Sequence, residues 1–422
     1  MAIKYNIPRG TYDILPRDSY QWQYVENIFR QVATSFGYRE IRTPIFEYEE
    51  VFSRSSGETS DIVQKEMYCF SDRKDRVLAL RPEGTAPVIR SFVENNLGAD
   101  GNTTKLFYIG EMFRYNRPQT GRSRQFSQFG AENIGSDNPY NDAELIALFY
   151  TYLQALGLQK FIVEINSIGC PDCSEIYNKS LRDYFSKSFA DLCSDCQQRY
   201  DKNPKRLLDC KVDKCKELAA NAPSILDSLD QKCQIHFDQV QSYLNQLKIP
   251  FTVNPKIVRG LDYYTQTAFE VIPVGNDKSQ NAIGGGGRYN GLIAMMGGKD
   301  TPAIGFAGGF TRLLAACEAE NLLPTADAHP LYYIVAMGDT ATAKAIEILL
   351  YLRKNNIFAE FDIDKKSMKA QMKNADKMNA EYVIILGDDE IASQKMTIKN
   401  MKSGQQRDLL FADQKELLLA PK

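Results

Sequence analysis

Short apolar runs, several of them joined without a helix, constrain the fold of this chain more than any other feature of its sequence. The runs are strand-like and lie at residues 77–80, 106–113, 125–134, 161–166 and 268–273. Helical patterns separate only some of them, near residues 85–95 and 140–156. Successive parallel strands need a long crossover, usually a helix. The pattern therefore predicts an α+β fold with a large, mostly antiparallel sheet flanked by helices, and it disfavours a doubly wound nucleotide-binding fold.

Two boundaries divide the chain. Residues 170–235 are crowded with cysteine, lysine and aspartate and have a helical pattern, which indicates an insertion. Two prolines and small polar residues within 323–330 indicate a linker. Strand and helix patterns alternate beyond it over about ninety residues, a normal domain length. We therefore expect one domain over 1–325, which contains the helical insertion, and a small α/β domain over 326–422.

Composition and charge exclude several classes of function. The formal net charge is -2 over 422 residues, so contacts with nucleic acid must come from local patches rather than an overall basic surface. The sequence has no run of about 18 apolar residues and no apolar signal stretch at its start, which predicts a cytoplasmic protein without a membrane partner. Since His236 and His329 are the only histidines, a histidine-based triad or a histidine-rich metal centre is disfavoured.

The segment 114–124, RYNRPQTGRSR, carries four arginines and no acidic residue between two strand-like runs. Guanidinium groups stay charged at any working pH and bind phosphate through paired N–H donors. A hairpin loop that carries Arg114 and Arg122 therefore suits a polyphosphate. The arginines alone are equally compatible with a solvated basic loop.

Polar residues next to this loop suggest a binding surface. Phe126, Gln128 and Glu132 are separated by even numbers of residues, so a strand would present all three on one face. This array suits a nucleotide, although a strand aromatic is more often part of the core. Glu83 and Thr85 follow an earlier strand; they could receive an ammonium group, or only cap the helix that begins there.

Three further segments are rich in glycine, arginine or tyrosine. Residues 259–264, Arg-Gly-Leu-Asp-Tyr-Tyr, form a denser polar and aromatic cluster than a folding element requires. Four glycines at 284–287 permit close approach of the backbone to a ligand, although hinges and turns use glycine too. Residues 303–314 predict a glycine-rich strand that leads into a helix beginning near Arg312, where an arginine could meet a phosphate or cover a purine ring.

Taken together, these segments resemble the class II aminoacyl-tRNA synthetases, and the similarity to the histidyl-tRNA synthetase family is close. Residues 113–116, Phe-Arg-Tyr-Asn, resemble the second motif of the class, 309–312 the third, and 38–44 the first, dimer-forming motif. Residues 259–264 and 285–291 are similar to signatures special to the histidine enzymes. The resemblance covers nearly the whole chain.

The resemblance implies a class II antiparallel catalytic sheet, a homodimer and a C-terminal anticodon-binding domain. It also implies a cytoplasmic ligase that acts on L-histidine, ATP with Mg2+ and the histidine tRNA. The implied catalytic cations are Arg114 and Arg259, and the implied ATP-binding residues are Arg114, Asn116, Arg122, Phe126 and Arg312. The implied histidine-binding residues are Glu83, Thr85, Gln128, Glu132, Tyr263 and Tyr264.

Within these sets the resemblance implies separate tasks. Arg114 and Arg259 would meet the α-phosphate, and Arg122 and Arg312 the outer phosphates. Phe126 and Arg312 would enclose adenine. The ammonium group of histidine would bind Glu83, Thr85 and Gln128, while Glu132 and Tyr264 would recognise its imidazole.

Three positions depart from the family pattern. Asn116 stands where the family commonly has Glu, Thr311 where Glu often precedes the arginine of the third motif, and Asn290 where Asp is frequent. The first departure bears on adenine recognition, although an amide can still bond to the purine amino group.

The cysteines allow a metal site. Cys170-x2-Cys173 and Cys193-x2-Cys196 are separated by nineteen residues, close to the spacing of zinc ribbons, and Cys210 and Cys215 lie nearby. Spacing therefore predicts a structural zinc site at Cys170, Cys173, Cys193 and Cys196. The family resemblance does not require such a metal.

Two other functions stay open at this stage. A non-catalytic regulatory subunit of histidine biosynthesis would share the catalytic-like domain and bind histidine without transferring it. A nucleic-acid-binding module derived from the same fold would have no use for Glu83, Gln128 and Tyr264. The combination of Arg114, Arg259 and Arg312 with an added C-terminal domain favours the enzyme.

Overall fold

The computed structural model describes residues 5–56, 60, 62–118, 121–208, 210–257, 263–275, 282–325, 329–364 and 367–419. Two compact units divide the chain, Met1–Pro324 and Thr325–Lys422. Within the described ranges, no helix has both the length and the apolar character needed to cross a lipid bilayer.

One large sheet organises the first unit. The strands of this unit are β1 (Arg39–Glu40), β2 (Phe46–Tyr48), β3 (Tyr68–Ser71), β4 (Val77–Leu80), β5 (Thr104–Phe113), β6 (Gln125–Ile134), β7 (Phe161–Ser167), β8 (Thr252–Val253), β9 (Thr265–Pro273), β10 (Gly284–Arg288) and β11 (Ala303–Gly309). The large sheet has the order β1-β5-β6-β11-β10-β9-β7-β8. Its pairings are antiparallel except at the two ends, where β1 pairs with β5 and β8 with β7 in parallel. The predicted mostly antiparallel sheet is confirmed.

Several helices pack on this sheet. The helices of the unit are α1 (Pro16–Ser35), α2 (Glu50–Ser56), α3 (Thr85–Glu94), α4 (Pro139–Ala155), α5 (Pro171–Ser186), α6 (Ser194–Lys202), α7 (Asp213–Ala219), α8 (Gln231–Gln246), α9 (Leu292–Met295) and α10 (Phe310–Ala319). The apolar period of α1 buries Phe29 and Ala33 completely, and the ring of Phe29 lies 4.9 Å from that of Phe129 on β6. The helix begins at Pro16, because proline presets φ for the first helical position.

The four-glycine run forms the interior strand β10. A Cβ atom on Gly286 would lie 2.0 Å from the carbonyl oxygen of Gly305 on β11, and one on Gly284 would lie 2.5 Å from that of Ala307. Strand packing therefore accounts for these two glycines, and close approach of the backbone to a ligand stays a prediction. They are needed because neighbouring strands pack against both positions.

The cysteine-rich segment has a core of its own. Tyr177, Leu181 and Phe185 on α5 pack there with residues of α6 and α7. Helix α8, in contrast, buries Phe237 and Val240 in the core of the large sheet. The independently packed part of the predicted insertion therefore ends before α8.

The second unit is a small α/β domain. Its elements are β12 (Tyr332–Ala336), α11 (Asp339–Lys354), β13 (Ala359–Phe361), α12 (Met368–Lys377), β14 (Tyr382–Leu386), α13 (Asp388–Ala392), β15 (Lys395–Asn400) and β16 (Gln406–Leu410). The strands β13, β12 and β14 are parallel, as expected for alternating strands and helices. The strands β15 and β16, which the sequence pattern did not predict, extend the sheet in antiparallel fashion.

Candidate active site

The β5–β6 hairpin presents the arginine loop. The backbone N–H of Arg114 donates to the carbonyl of Arg124 at 2.9 Å, directly beyond the last pair of the ladder. The N-terminal segment contacts the base of this loop at Gly10, whose carbonyl accepts the N–H of Arg124 at 2.7 Å. The base of the loop is thus anchored, while residues 119–120 lie outside the described residues.

The guanidinium of Arg114 is held by one nitrogen. Its Nε donates to the carbonyl of Pro82 at 2.8 Å, and its Cζ lies 5.4 Å from the centroid of the Phe126 ring. Among the described residues its two terminal nitrogens have no hydrogen-bond partner. Burial lowers the pKa of Arg114, against the opposing effect of the Glu66 and Glu83 carboxylates. A bound anion would therefore relieve a desolvation cost at this position.

Arg312 and Arg122 reach the same space from distant parts of the chain. Burial lowers the pKa of Arg312, and the positive charges of Arg122 and Arg114 lower it further. Arg312 lies in the first turn of α10, where its Nη1 donates to the carbonyl of Ala282 at 3.0 Å. Arg122 is exposed and has no hydrogen-bond or ion-pair partner in the described part of the chain. Three guanidinium groups so close together suit a polyanion. The fourth predicted cation, Arg259, lies outside the described residues.

Glu83 organises the turn before α3. Its two carboxylate oxygens accept the backbone N–H groups of Thr85 at 2.7 Å and Ala86 at 2.8 Å. Burial raises the pKa of Glu83, although these N–H donors and the charge of Arg114 act in the opposite direction. Glu83 thus caps the helix, which is one of the two roles that the sequence suggested for it. Ammonium binding stays a prediction, and it is compatible because each carboxylate oxygen has a second acceptor position.

Glu132 is completely buried on β6. It accepts the hydroxyl of Thr85 at 2.8 Å on one oxygen and the hydroxyl of Tyr289 on the other. Burial raises the pKa of Glu132 to about 8, although the two hydroxyl donors lower it. A carboxyl group with this pKa can donate a hydrogen bond when protonated and accept one when ionised. Both states suit an imidazole, which itself has one donor and one acceptor when neutral.

Tyrosine rings line this buried carboxyl group. Tyr263 and Tyr264 have ring centroids 4.7 Å apart, and the ring of Tyr263 lies edge-on to Tyr289 at 5.7 Å. Burial raises the pKa of Tyr263, and the charges of Tyr264, Glu83 and Glu132 raise it further. The structure therefore brings both predicted tyrosines to the predicted carboxylates. Tyr289 lies in the segment 285–291 that resembles a family signature, and the resemblance assigned no role to it.

Tyr108 also lies beside these carboxyl groups, and the sequence analysis did not predict it. Its ring, on β5, lies so close to Gly84 and Gly130 that added Cβ atoms would fall 2.2 Å and 2.4 Å from it. Burial raises the pKa of Tyr108, and the charges of Glu132 and Glu83 raise it further. The signal in the sequence was the glycine paired with this tyrosine across the hairpin.

Two amides have unused hydrogen-bonding atoms. The Oε1 atom of Gln128 is buried without a partner among the described residues, so an ammonium group there would satisfy it. The side chain of Asn116 forms no hydrogen bond within the described ranges. It is half-buried beside Arg114, which leaves it available to adenine.

The other two departures from the family pattern have structural partners. The hydroxyl of Thr311 lies 3.0 Å from that of Tyr12, so the N-terminal segment meets the first turn of α10. The amide of Asn290 donates to Gln266 Oε1 at 3.3 Å and accepts the N–H of Ala303 at 3.2 Å. Both polar side chains are therefore accommodated by the fold.

Arg288 belongs to a buried network rather than to the site. Its Nε donates to Asp142 Oδ1 at 3.0 Å, and Asp142 also lies 2.7 Å from His236 Nε2 and accepts the hydroxyl of Thr267 at 2.6 Å. The positive charge of Arg288, with hydrogen bonds from His236 and Arg288, lowers the pKa of Asp142 despite its burial. This network ties α4, α8, β9 and β10 together.

The predicted set of zinc ligands needs correction. The structure groups Cys193 and Cys196 with Cys210 and Cys215, and it groups Cys170 and Cys173 with Asp230 and Cys233. The two Cys-x2-Cys pairs therefore have different partners. The spacing of the cysteines did not predict these groups. Cys210, Cys215 and Cys233 lie in later segments of the chain, and their positions depend on how α6, α7 and α8 pack.

Replacing Gly305 with alanine should displace the Glu132 carboxyl group and so strongly weaken binding of the histidine that the family resemblance implies. Gly305 pairs with Glu132 across β11 and β6, and an added Cβ would lie 1.6 Å from Glu132 Oε2. The carboxyl group would have to leave its two hydroxyl partners. We expect the histidine KM to rise at least about 100-fold, the loss of about 3 kcal/mol that displacing a buried hydrogen-bonded group entails. Gly309→Ala is the stability control, since a Cβ there meets no atom within 4 Å. Similar histidine KM values for Gly305→Ala and the wild type would contradict this geometry.

Comparison with known protein families agrees with this site. The family model described as histidyl-tRNA synthetase matches residues 10–313, and the model described as anticodon binding domain matches residues 332–420. The first model spans the arginine loop, the buried carboxyl groups and the first turn of α10. The second spans the small α/β domain.

Similar proteins and structures extend over nearly the whole chain. A histidine–tRNA ligase from Geobacillus sp. (strain WCH70) is 50% identical over 408 residues, which are 96% of each chain. One from Clostridioides difficile (strain 630) is 47% identical over 401 residues, 94% of this chain and 95% of the relative. The crystal structure of apo Staphylococcus aureus histidyl-tRNA synthetase matches with a TM-score of 0.83 and 39% identity, covering 98% of this chain and 99% of the other.

Proposed function

The chain belongs to the histidyl-tRNA synthetase family, and we propose that it activates L-histidine with ATP and transfers the histidyl group to the 3′ end of the histidine tRNA. The convergence of Arg114, Arg122 and Arg312 carries this proposal. Arg114 acts electrostatically on the buried carboxyl of Glu83, and Glu83 acts in turn on that of Glu132. A triphosphate and a small polar amino acid could bind there side by side.

In the first step, a carboxylate oxygen of histidine attacks the α-phosphorus of ATP. A new P–O bond forms, the bond to the β-phosphate oxygen breaks, and its electron pair leaves with pyrophosphate. No general base is needed because the nucleophile is already ionised. The terminal nitrogens of Arg114, which have no partner among the described residues, can bond to the α-phosphate oxygens as their negative charge grows, and Arg259 is proposed as the second cation there.

ATP is proposed to enter as its magnesium complex, with Arg122 and Arg312 at the outer phosphates. Phe126 and Arg312 would enclose the adenine ring, and the free amide of Asn116 could bond to the purine amino group. Holding the triphosphate extended and the carboxylate in line supplies much of the rate enhancement through positioning.

The pocket supports selection of histidine by its ring. Glu132 and Tyr264 would bond to the imidazole, while Gln128 with Glu83 and Thr85 would hold the ammonium group. An amino acid without ring nitrogens would leave buried polar groups unpaired, at about 1–3 kcal/mol for each group. High selectivity would then need no separate editing site.

In the second step, the terminal ribose hydroxyl of the tRNA attacks the activated carbonyl and releases AMP. The C-terminal unit, which matches the anticodon binding domain model, is proposed to bind the other end of the same tRNA. We expect the protein to act in the cytoplasm, where its tRNA substrate is found.

Histidine-dependent exchange of pyrophosphate into ATP tests the activation step. We expect exchange with histidine and none above background with the other amino acids, followed by charging of the histidine tRNA. A regulatory subunit of histidine biosynthesis would bind histidine without exchange. That result would overturn the proposal, as would exchange that another amino acid supports equally well.

We also propose that the protein is a homodimer. The sheet of β2, β4 and β3 carries the apolar side chains of Phe46, Tyr48, Phe70 and Val77, each 44–52% exposed in one chain. Apolar groups at this density on a surface usually mark an interface. The patch follows residues 38–44, the segment that resembles the dimer-forming motif.

Charging this surface should separate the subunits. Phe46→Asp would place a carboxylate opposite the partner, so we expect sedimentation velocity to show a monomer where the wild type sediments as a dimer. Ile176→Asp is the matched control, because Ile176 is also an exposed apolar residue but lies on α5. A monomeric wild type, or a dimeric Phe46→Asp variant, would rule out this interface.

A further inference from the structure

Four cysteine thiols converge inside the small core formed by α5, α6 and α7. Cys193 and Cys196 come from the start of α6, Cys210 from the loop after it, and Cys215 from α7. All four sulfur atoms lie within 4.8 Å of one another, and three of the residues are buried. None of them forms a disulfide. Together they form a compact, four-membered shell of sulfur atoms.

The distances within this shell fit a tetrahedral metal. Zinc–sulfur bonds of about 2.3 Å at tetrahedral angles place neighbouring sulfur atoms about 3.8 Å apart. The sulfur atoms of Cys193 and Cys210 are 3.8 Å apart. The backbone N–H of Cys193 also donates to the sulfur of Cys215 at 3.3 Å, a contact of the kind that supports metal-bound thiolates.

The alternatives account for this arrangement less well. A buried cysteine often behaves as a small apolar residue, but packing alone gives no reason for four thiols to share one centre. Two disulfides would need sulfur pairs about 2.05 Å apart. The surrounding core is also small: it has ten buried residues, of which Cys196, Cys210 and Cys215 are three. Small cores of this kind commonly depend on a metal for stability.

We propose that Cys193, Cys196, Cys210 and Cys215 bind one structural zinc ion. Four protein ligands complete its tetrahedral coordination and leave no position for substrate, so the ion stabilises the fold and takes no part in the reaction. Binding replaces the thiol protons, which are released to solvent. This proposal is independent of the synthetase activity.

A second group of ligands supports a second zinc ion through different atoms. The start of α5 brings Cys170 and Cys173, and the start of α8 brings Asp230 and Cys233. The sulfur of Cys170 lies 3.5 Å from that of Cys173 and 3.2 Å from Asp230 Oδ2. The N–H of Asp230 donates to the sulfur of Cys173 at 3.1 Å. An ion here would join the first helix of the small core to α8, which packs in the main core.

Zinc analysis of the full chain, purified without chelator, tests both sites. We expect two zinc ions per chain by mass spectrometry, one after Cys210→Ser and one after Cys233→Ser. Cys317→Ala and Cys69→Ser, which change a buried and an exposed cysteine outside the two groups, should retain two. Cys210→Ser with two zinc ions would overturn the first site, and Cys233→Ser with two would overturn the second.

Cobalt substitution of the wild-type chain gives a second measurement that requires no variant to fold. Cobalt bound to four thiolates should give an intense sulfur-to-metal charge-transfer band and the visible absorption of tetrahedral cobalt. Two equivalents should be needed to reach the end point. Absence of both zinc and the tetrahedral cobalt spectrum would overturn both sites, and stoichiometric iron in purified protein would overturn the assignment to zinc.

Discussion

Replacing Arg114 with alanine should lower the rate of histidine activation about 10²–10³-fold, the usual effect of removing one preorganised donor from a developing anionic charge. The expectation rests on the position of its guanidinium: Nε is fixed by the carbonyl of Pro82, while the terminal nitrogens are free among the described residues. The histidine KM should change much less, because Arg114 is proposed to bind the α-phosphate and not the amino acid. Pyrophosphate exchange, measured over a range of both substrates, separates the two constants.

Two variants sharpen this test. Arg114→Lys keeps the charge but loses the forked donor geometry, so it should recover only a small part of the lost rate. Arg117→Ala removes another arginine of the same loop, one that is exposed, and should stay within a few-fold of the wild type. If Arg117→Ala were as damaging as Arg114→Ala, the effect would reflect the general charge of the loop and not one positioned cation.

Replacing Glu132 with alanine should raise the histidine KM about 10²–10³-fold, since the imidazole and the hydroxyls of Thr85 and Tyr289 would lose a buried partner at about 1–3 kcal/mol per group. The KM for ATP should rise far less, because Glu132 is proposed to contact the imidazole ring and not the phosphates. Pyrophosphate exchange and calorimetric titration with histidine would measure the effect. Equal losses for histidine and ATP would argue against ring recognition by Glu132.

The same carboxyl group should make the unliganded protein sensitive to pH. Its pKa is raised from 4.5 to about 8 by burial, so the folded chain holds this proton over a pH range in which the unfolded chain has lost it. The contribution of Glu132 to the free energy of unfolding therefore falls as pH rises from about 4.5 to about 8, by up to about 1.4 kcal/mol for each unit of pKa difference. Glu132→Gln should stabilise the free protein at pH 8–9 more than at pH 5, while still impairing histidine binding. Thermal unfolding at both pH values would measure this, and an equal change at both would contradict it.

Much of the fold was visible in the sequence because its strands have simple patterns. The sequence predicts the ranges of β4 and β6 to the residue, and that of α4 within one residue at each end. The even spacing of Phe126, Gln128 and Glu132 correctly placed them on one strand. Local periodicity was enough for these elements.

The rest depended on contacts between distant residues. Tyr108 and Tyr289 enter the pocket only because β5 and β10 occupy interior positions in the sheet, and no local pattern gives that order. The partners of each cysteine pair likewise follow from how α6, α7 and α8 fold back. The packing role of the β10 glycines was not predicted for the same reason. The atoms closest to Gly284 and Gly286 belong to β11, about twenty residues away in sequence.

Residues 5–15 have little regular structure, yet they contact two parts of the proposed nucleotide site. Gly10 accepts a hydrogen bond from the base of the arginine loop, and the hydroxyl of Tyr12 lies against that of Thr311, next to Arg312 in sequence. We therefore expect these contacts to influence ATP binding. Removing residues 5–15 should disturb catalysis while leaving the sheet and its core intact.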